Sequence, residues 1–291
     1  MLRGSIVALV TPMKADGALD WEALDALVEW HVQEGTHGIV PMGTTGESAT
    51  LDTPEHLEVI ARTVRVVNGR IPVIAGTGSN STSEAIHQTL EASEVGADAC
   101  LLVTPYYNRP TQEGLFRHYQ AVHEASDIPL VLYNVPARTA CDLKPDTVGR
   151  LAALPRIVGI KEASGDPARV TQIRDLVPED FFVLSGEDAL TLKMMRLGAV
   201  GTISVTANVV PRLMADFCNA FLRGDTQRAA ELDARLQPLH EILFVESSPQ
   251  PTKWALYEMG RIDRGIRLPL IELSENHRAE LRARLKAVGA L

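Results

Sequence analysis

The residue around which chemistry could gather is Lys161. Ile157, Val158, Gly159 and Ile160 run up to it, and Glu162-Ala163-Ser164-Gly165 turns the chain away. A mostly apolar run ending at a charge reads as a buried strand with its functional group at the tip. An ammonium there is costly unless it is neutralised or used. Desolvation favours the free amine, and a free amine is a nucleophile for carbonyl carbon. Of the six lysines (Lys14, Lys144, Lys161, Lys193, Lys253 and Lys286) only Lys161 closes such a strand. A structural ion pair with a neighbouring carboxylate is the other use of a lysine so placed, and the strand alone does not separate the two.

Further polar groups recur just after apolar runs. Gly43-Thr44-Thr45-Gly46-Glu47 lacks the lysine of a phosphate-binding loop, which argues against a nucleotide. Its amides and two threonine hydroxyls could cradle a carboxylate, although a tight turn with threonine caps has the same composition. Thr104 to Pro110 contains Tyr106, Tyr107 and Arg109. Tyr133 closes the run before Lys161 and could carry protons for an amine, or simply pack its ring. Arg138 follows in a proline-containing loop, where a guanidinium could grip a carboxylate or remain a surface charge. Ser185-Gly186-Glu187 follows the next run.

These positions share a face only if the elements place them there. Short apolar runs at 5–10, 38–42, 71–75, 99–103, 128–133, 157–161, 181–184 and 200–205 read as eight strands. Helical patterns lie between them, over 21–33 and from about 54, 81, 112, 145, 167 and 188. Thr53 reads as the N-cap of the second helix, and Ser81-Thr82-Ser83-Glu84 as a capping box on the third. Alternation of β and α predicts a parallel sheet. Eight units with nearly continuous apolar strands favour a closed (β/α)₈ TIM barrel. A doubly wound sheet would carry a glycine-rich fingerprint after the first strand, where Val10-Thr11-Pro12-Met13 stands instead. After residue 205 the pattern is helical, over about 211–223, 225–243, 251–259 and 275–288. We therefore expect a barrel over 1–206 and a C-terminal helical region over 207–291 packed beside it as one unit. In such a barrel the groups above converge on the C-terminal mouth.

Composition bounds the class. The net charge of −9 argues against a nucleic-acid or anionic-membrane partner. Cys100, Cys141 and Cys218 are odd in number and lack metal spacing, as for free thiols in a reducing cytoplasm. The eight histidines are scattered, and no metal site is expected. Neither a signal peptide nor a run of membrane-spanning length is visible.

Together the 43–47 loop, Tyr106-Tyr107-Asn108-Arg109-Pro110, Leu132-Tyr133-Asn134-Val135-Pro136-Ala137-Arg138-Thr139 and Gly159-Ile160-Lys161-Glu162-Ala163 resemble the dihydrodipicolinate synthase / N-acetylneuraminate lyase family, along the whole chain. The resemblance implies that Lys161 forms a Schiff base with pyruvate, with Thr45 and its loop amides on the pyruvate carboxylate. It implies a proton relay of Tyr133, Thr44 and Tyr107, with Tyr107 supplied by a neighbouring subunit. Arg138 would bind the carboxylate of L-aspartate 4-semialdehyde, and Gly186 and the Ile203 carbonyl would line the site. No metal or organic cofactor is implied, and a homo-oligomer, as a dimer of dimers, is. A sister aldolase acting on a 2-keto-3-deoxy sugar acid shares the lysine, the tyrosine and the loop; Arg138 argues against it. In lysine-sensitive members, positions matching Ser48, Ala49, His56, Asn80, Glu84 and Tyr106 line a pocket for L-lysine. Thr53 stands where those members often carry histidine.

Overall fold

The computed structural model describes residues 2–291. Eight parallel strands form the barrel: β1 (Gly4–Ala8), β2 (Gly38–Val40), β3 (Ile74–Gly76), β4 (Ala99–Val103), β5 (Leu130–Asn134), β6 (Ile157–Glu162), β7 (Phe182–Ser185) and β8 (Gly201–Ser204). Their order is β2-β1-β8-β7-β6-β5-β4-β3, and a parallel bridge between Ile39 and Val73 joins the two outer strands. The sheet closes on itself as a TIM barrel, with helices between consecutive strands. Four helices follow β8: Pro211–Leu222, Thr226–Ile242, Gln250–Glu258 and Glu275–Val288.

The strands are apolar on both faces because both faces are covered. In β5, Val131 and Tyr133 join the interior cluster with Ile6, Ala8, Leu101, Phe182 and Leu184. Leu130 and Leu132 join the larger cluster between strands and helices. That outer cluster also takes in Phe217, Leu236, Trp254 and Leu281 from the C-terminal helices. A Cβ on Gly159 of β6 would lie 2.3 Å from the ring of Phe182, so the ring fills the interior at that level. Lys161, two residues further along a strand of period two, faces the same way one layer higher.

Several boundaries differ from the sequence expectation. β1 ends before Val10, whose amide is taken at 3.0 Å by the side chain of Asn208. β3 begins after Pro72, which has no amide to give, and Val73 donates to Asp98 at 2.8 Å. The second helix, Thr53–Val67, is capped by Asp52 and not by Thr53. Pro54 favours the first helical turn, so Thr53 is drawn into it and the preceding aspartate becomes the cap. The capping box is also here: Glu55 donates its amide to Asp52 at 2.9 Å, and its carboxylate reaches back to the Asp52 amide at 3.3 Å. At Ser81–Glu84 only half of the expected box forms. Ser81 accepts from the Glu84 amide, but the Glu84 carboxylate turns to Ser79 Oγ at 2.8 Å. The one-turn helix Pro136–Thr139, which carries Arg138, was not foreseen.

Candidate active site

Lys161 sits near the C-terminal end of β6, in register with Tyr133 of β5 and Leu184 of β7. Its side chain is buried, with only 6% of the residue exposed. Its Nζ lies 4.3 Å from the centre of the Tyr133 ring, over the π face. Among the described residues no carboxylate stands within ion-pair distance of it. Among the described residues the one buried ion-paired lysine is Lys253, which meets Glu47. An ammonium without a partner, held over a phenol at the mouth of an apolar barrel, suits a reacting group better than a structural charge.

The strand ends around it are fixed by a polar network. Asn134 at the tip of β5 donates to Glu162 at 3.2 Å and to Asp142 at 3.0 Å. Its carbonyl oxygen accepts from the Leu143 amide at 2.9 Å. Glu162 also accepts from the Ser164 amide at 2.7 Å. Burial raises the Glu162 pKa, and the donors from Ser164 and Asn134 oppose that rise. Gly186, just past β7, leaves room for the lysine. A Cβ there would lie 2.6 Å from the Ala163 methyl and 3.0 Å from Lys161 Cε. Glu187 follows; burial and the neighbouring Asp188 raise its pKa, against the opposing charges of Lys161 and Arg138.

Thr44 and Thr45 occupy the 3₁₀ turn Thr44–Gly46 after β2. The amides of Gly46 and Glu47 close that turn on the carbonyls of Gly43 and Thr44, at 3.0 and 3.1 Å. The preceding amides at the head of such a turn are the ones with no partner inside it. Thr11 Oγ1 donates to the Gly46 carbonyl at 2.7 Å and steadies the turn from β1's side. Arg138 is exposed on its short helix, which Thr139 braces by donating to the Val135 and Cys141 carbonyls at 3.2 and 2.9 Å. Ile203 lies in β8 within the same interior cluster as Tyr133.

Tyr107 is 91% exposed on this single chain. Its φ of 73° lies in the left-handed region that side chains seldom adopt. A hydrogen bond from the Asn108 amide to the Tyr106 carbonyl, at 2.9 Å, holds it in a three-residue turn. The turn is tied to the next loop, because Asn108 donates to the Asn80 carbonyl at 2.8 Å.

Beside this mouth lies a cavity of about 330 Å³, within the usual range of ~300–1,000 Å³ for small-molecule sites. Thr44, Val135 and Arg138 line it together with Ser48, Ala49, His56, Glu84 and Tyr106. Lys161 is not among its walls. Asn80 is not either: its side chain donates to the Tyr106 carbonyl at 3.2 Å. His56 is buried and donates from Nε2 to the Gly76 carbonyl at 2.8 Å. Burial lowers its pKa.

Sequence reasoning missed one buried pair. Glu47, the last residue of the 43–47 loop, meets Lys253 at 2.5 Å, and their side chains are 1% and 3% exposed. The two are 206 positions apart. The available signal was Lys253 itself, a lone charge in the otherwise uncharged stretch Pro251-Thr252-Lys253-Trp254-Ala255-Leu256.

The chain is similar to known proteins along its whole length. The model of the dihydrodipicolinate synthetase family matches residues 1–288. The 4-hydroxy-tetrahydrodipicolinate synthase of Stutzerimonas stutzeri (strain A1501) is 57% identical over 291 residues, the full length of both chains. The chloride-inhibited dihydrodipicolinate synthase of Acinetobacter baumannii, solved in complex with pyruvate, matches with a TM-score of 0.98 and 54% identity over the whole of both chains. DHDPS from Cyanidioschyzon merolae, solved with lysine bound, matches with a TM-score of 0.96 and 38% identity, covering 100% of this chain and 99% of that one. By sequence along its length and by fold, the chain belongs to the dihydrodipicolinate synthetase family.

Proposed function

We infer that the chain catalyses the 4-hydroxy-tetrahydrodipicolinate synthase reaction, condensing pyruvate with L-aspartate 4-semialdehyde through an imine on Lys161. This is the first committed step of the diaminopimelate route to lysine, and it belongs in the cytoplasm. The observation that carries the assignment is the buried, carboxylate-free Lys161 over the Tyr133 ring. Full-length identity to synthases of this name supports the substrates.

In this reading Lys161 Nζ attacks the keto carbon of pyruvate, and loss of water leaves a protonated imine. The imine accepts the electron pair released when the methyl group loses a proton, giving an enamine. Thr45 and the amides at the head of its turn hold the pyruvate carboxylate. Tyr133, Thr44 and Tyr107 pass protons, with Tyr107 supplied by a second copy of the chain, so the working form is a homo-oligomer, a dimer of dimers. Arg138 grips the carboxylate of the semialdehyde. The enamine carbon attacks its aldehyde, and its amine then displaces Lys161 as the ring closes. Gly186 and the Ile203 carbonyl border the reacting atoms. The lysine itself supplies the carbanion stabilisation, and no metal or organic cofactor takes part.

The cavity walled by Ser48, Ala49, His56, Glu84 and Tyr106 is our candidate for an L-lysine effector site. Glu84 would meet the amino groups and Tyr106 the carboxylate end, with Asn80 acting through the Tyr106 carbonyl that it holds.

The test is turnover of pyruvate with aspartate 4-semialdehyde, followed by a coupled reductase, beside a panel of 2-keto-3-deoxy sugar acids. Borohydride added with pyruvate should label the peptide bearing Lys161. Turnover of a sugar acid in preference, or a label on another lysine, would overturn the assignment.

A further inference from the structure

Glu47 closes the loop that presents Thr44 and Thr45, yet the chemistry above gives it no part. Its backbone sits at φ 60°, ψ 35°, in the left-handed region, a conformation that costs free energy and persists where surrounding contacts over-determine it. Those contacts come from the far end of the chain. One carboxylate oxygen accepts from Lys253 Nζ at 2.5 Å, the other from the Arg267 amide at 3.1 Å. The guanidinium of Arg267 pairs with both oxygens of Glu55 at 2.6 and 2.7 Å, and donates to the carbonyls of Thr50 and Gly17 at 3.0 and 2.9 Å. Helix Gln250–Glu258 and the segment bearing Arg267 therefore grip the loop from outside the barrel.

A buried ion pair is a weak means of stabilising a fold, since apolar residues of similar volume often serve as well. What such a pair does is hold two backbones in one register. Here the backbone held is the turn itself, because the Glu47 amide donates to the Thr44 carbonyl at 3.1 Å. Burial lowers the Lys253 pKa and the Glu47 carboxylate opposes that shift, as expected of a pair locked together.

We propose that Glu47, clamped by Lys253 and Arg267, is a positioning residue for pyruvate: it sets the turn on which Thr45 and the amides at the turn's head receive the substrate carboxylate. This rests on the reading of Thr45 as a carboxylate ligand. The C-terminal helices thereby act on the catalytic mouth although Lys253 and Arg267 touch no reacting atom.

The experiment measures the pyruvate concentration for half-maximal borohydride trapping, the KM of each substrate, and thermal unfolding. The variants are Lys253→Met, Glu47→Gln and the double variant Lys253→Met/Glu47→Leu. Lys253→Met strands a buried carboxylate and should lose thermal stability; the double variant should recover most of that loss. Half-saturation by pyruvate should nevertheless rise roughly tenfold or more in all three, while the semialdehyde KM stays within about threefold. A double variant that restores pyruvate half-saturation together with stability would show the pair to be only structural. So would unchanged half-saturation in the isosteric Glu47→Gln, which decides the matter if the other two fail to fold. Thr45→Val separates the two layers. If it leaves pyruvate half-saturation unchanged, the carboxylate reading fails. If it raises half-saturation and the clamp variants do not, the clamp alone fails.

Discussion

The residue that should separate this enzyme from its sugar-acid relatives is Arg138. It is exposed, on a single helical turn, at the wall shared by the mouth and the neighbouring cavity. Arg138→Ala should leave borohydride trapping of pyruvate nearly unchanged, because Lys161 and Thr45 stand on other strands and loops. The semialdehyde KM should rise by about tenfold to a hundredfold, the equivalent of a charge-assisted contact worth ~1.5–3 kcal/mol. Steady-state kinetics on both substrates checks this, and an unaltered semialdehyde KM would remove Arg138 from recognition. Lys161 and Tyr133 stand out in the sequence because each closes an apolar strand pattern, and Arg138 because it lies in the loop that follows Tyr133. Glu47 and Lys253 were not legible as a pair. Nothing local couples residues 206 positions apart, and each alone reads as a surface charge.

The barrel strands themselves were legible from apolar runs, and their ends were not. Where β1 stops and β3 starts depends on an Asn208 side chain and an Asp98 carboxylate that capture single amides, contacts no periodicity encodes. The outer helices carry a second property: they bury histidines, His31 and His118 among them. His31 on Trp21–Gln33 contacts Thr36 Oγ1 through Nδ1 at 3.1 Å, and His118 on Gln112–Ala125 contacts Thr82 Oγ1 at 2.9 Å. In both, Nε2 is buried without a partner, so the charged form is disfavoured. Burial pushes His31 down to about 3, helped by Arg261, and His118 down to about 4, from an ordinary 6.5. A folded-state pKa below the unfolded one means that protons bind the unfolded chain first. Stability is therefore present above pH 6.5 and lost as pH falls towards the folded values. Between pH 7 and pH 5 each histidine should cost about 2 kcal/mol. Glu162, raised by burial, works in the opposite sense. Urea unfolding at fixed protein concentration should show the loss, and His118→Gln should reduce it by its own share of about 2 kcal/mol. An equal slope in that variant would refute the assignment.

At the scale of the whole molecule, the role proposed for the exposed Tyr107 requires a second copy of the chain. Held at φ 73° and 91% exposed, its ring is free to take the place that we propose for it in a partner's relay. Mixing Tyr107→Phe with Lys161→Ala under conditions of subunit exchange should restore part of the activity, because some hybrids carry one intact site. No recovery with exchange confirmed would count against a shared relay. The same turn offers a route for regulation. Tyr106 walls the cavity with Glu84 and precedes Tyr107 directly, and Asn80 and Asn108 fasten its loop to the neighbouring one. A ligand that fixes Tyr106 therefore biases the backbone that aims Tyr107. Thr44 and Arg138 also line this cavity, so an occupant sits close to the groups proposed for substrate. We expect L-lysine to lower the initial rate, and Glu84→Ala to weaken that inhibition by roughly tenfold or more, since the effector's amino groups lose their carboxylate. Binding must be coupled in both directions: the factor by which lysine alters pyruvate affinity is the factor by which pyruvate alters lysine affinity. Calorimetric titration of lysine with and without pyruvate measures that factor, and rate titration in the Glu84→Ala variant locates it. Flat rates into the tens of millimolar lysine, or inhibition that survives Glu84→Ala unchanged, would detach this cavity from regulation.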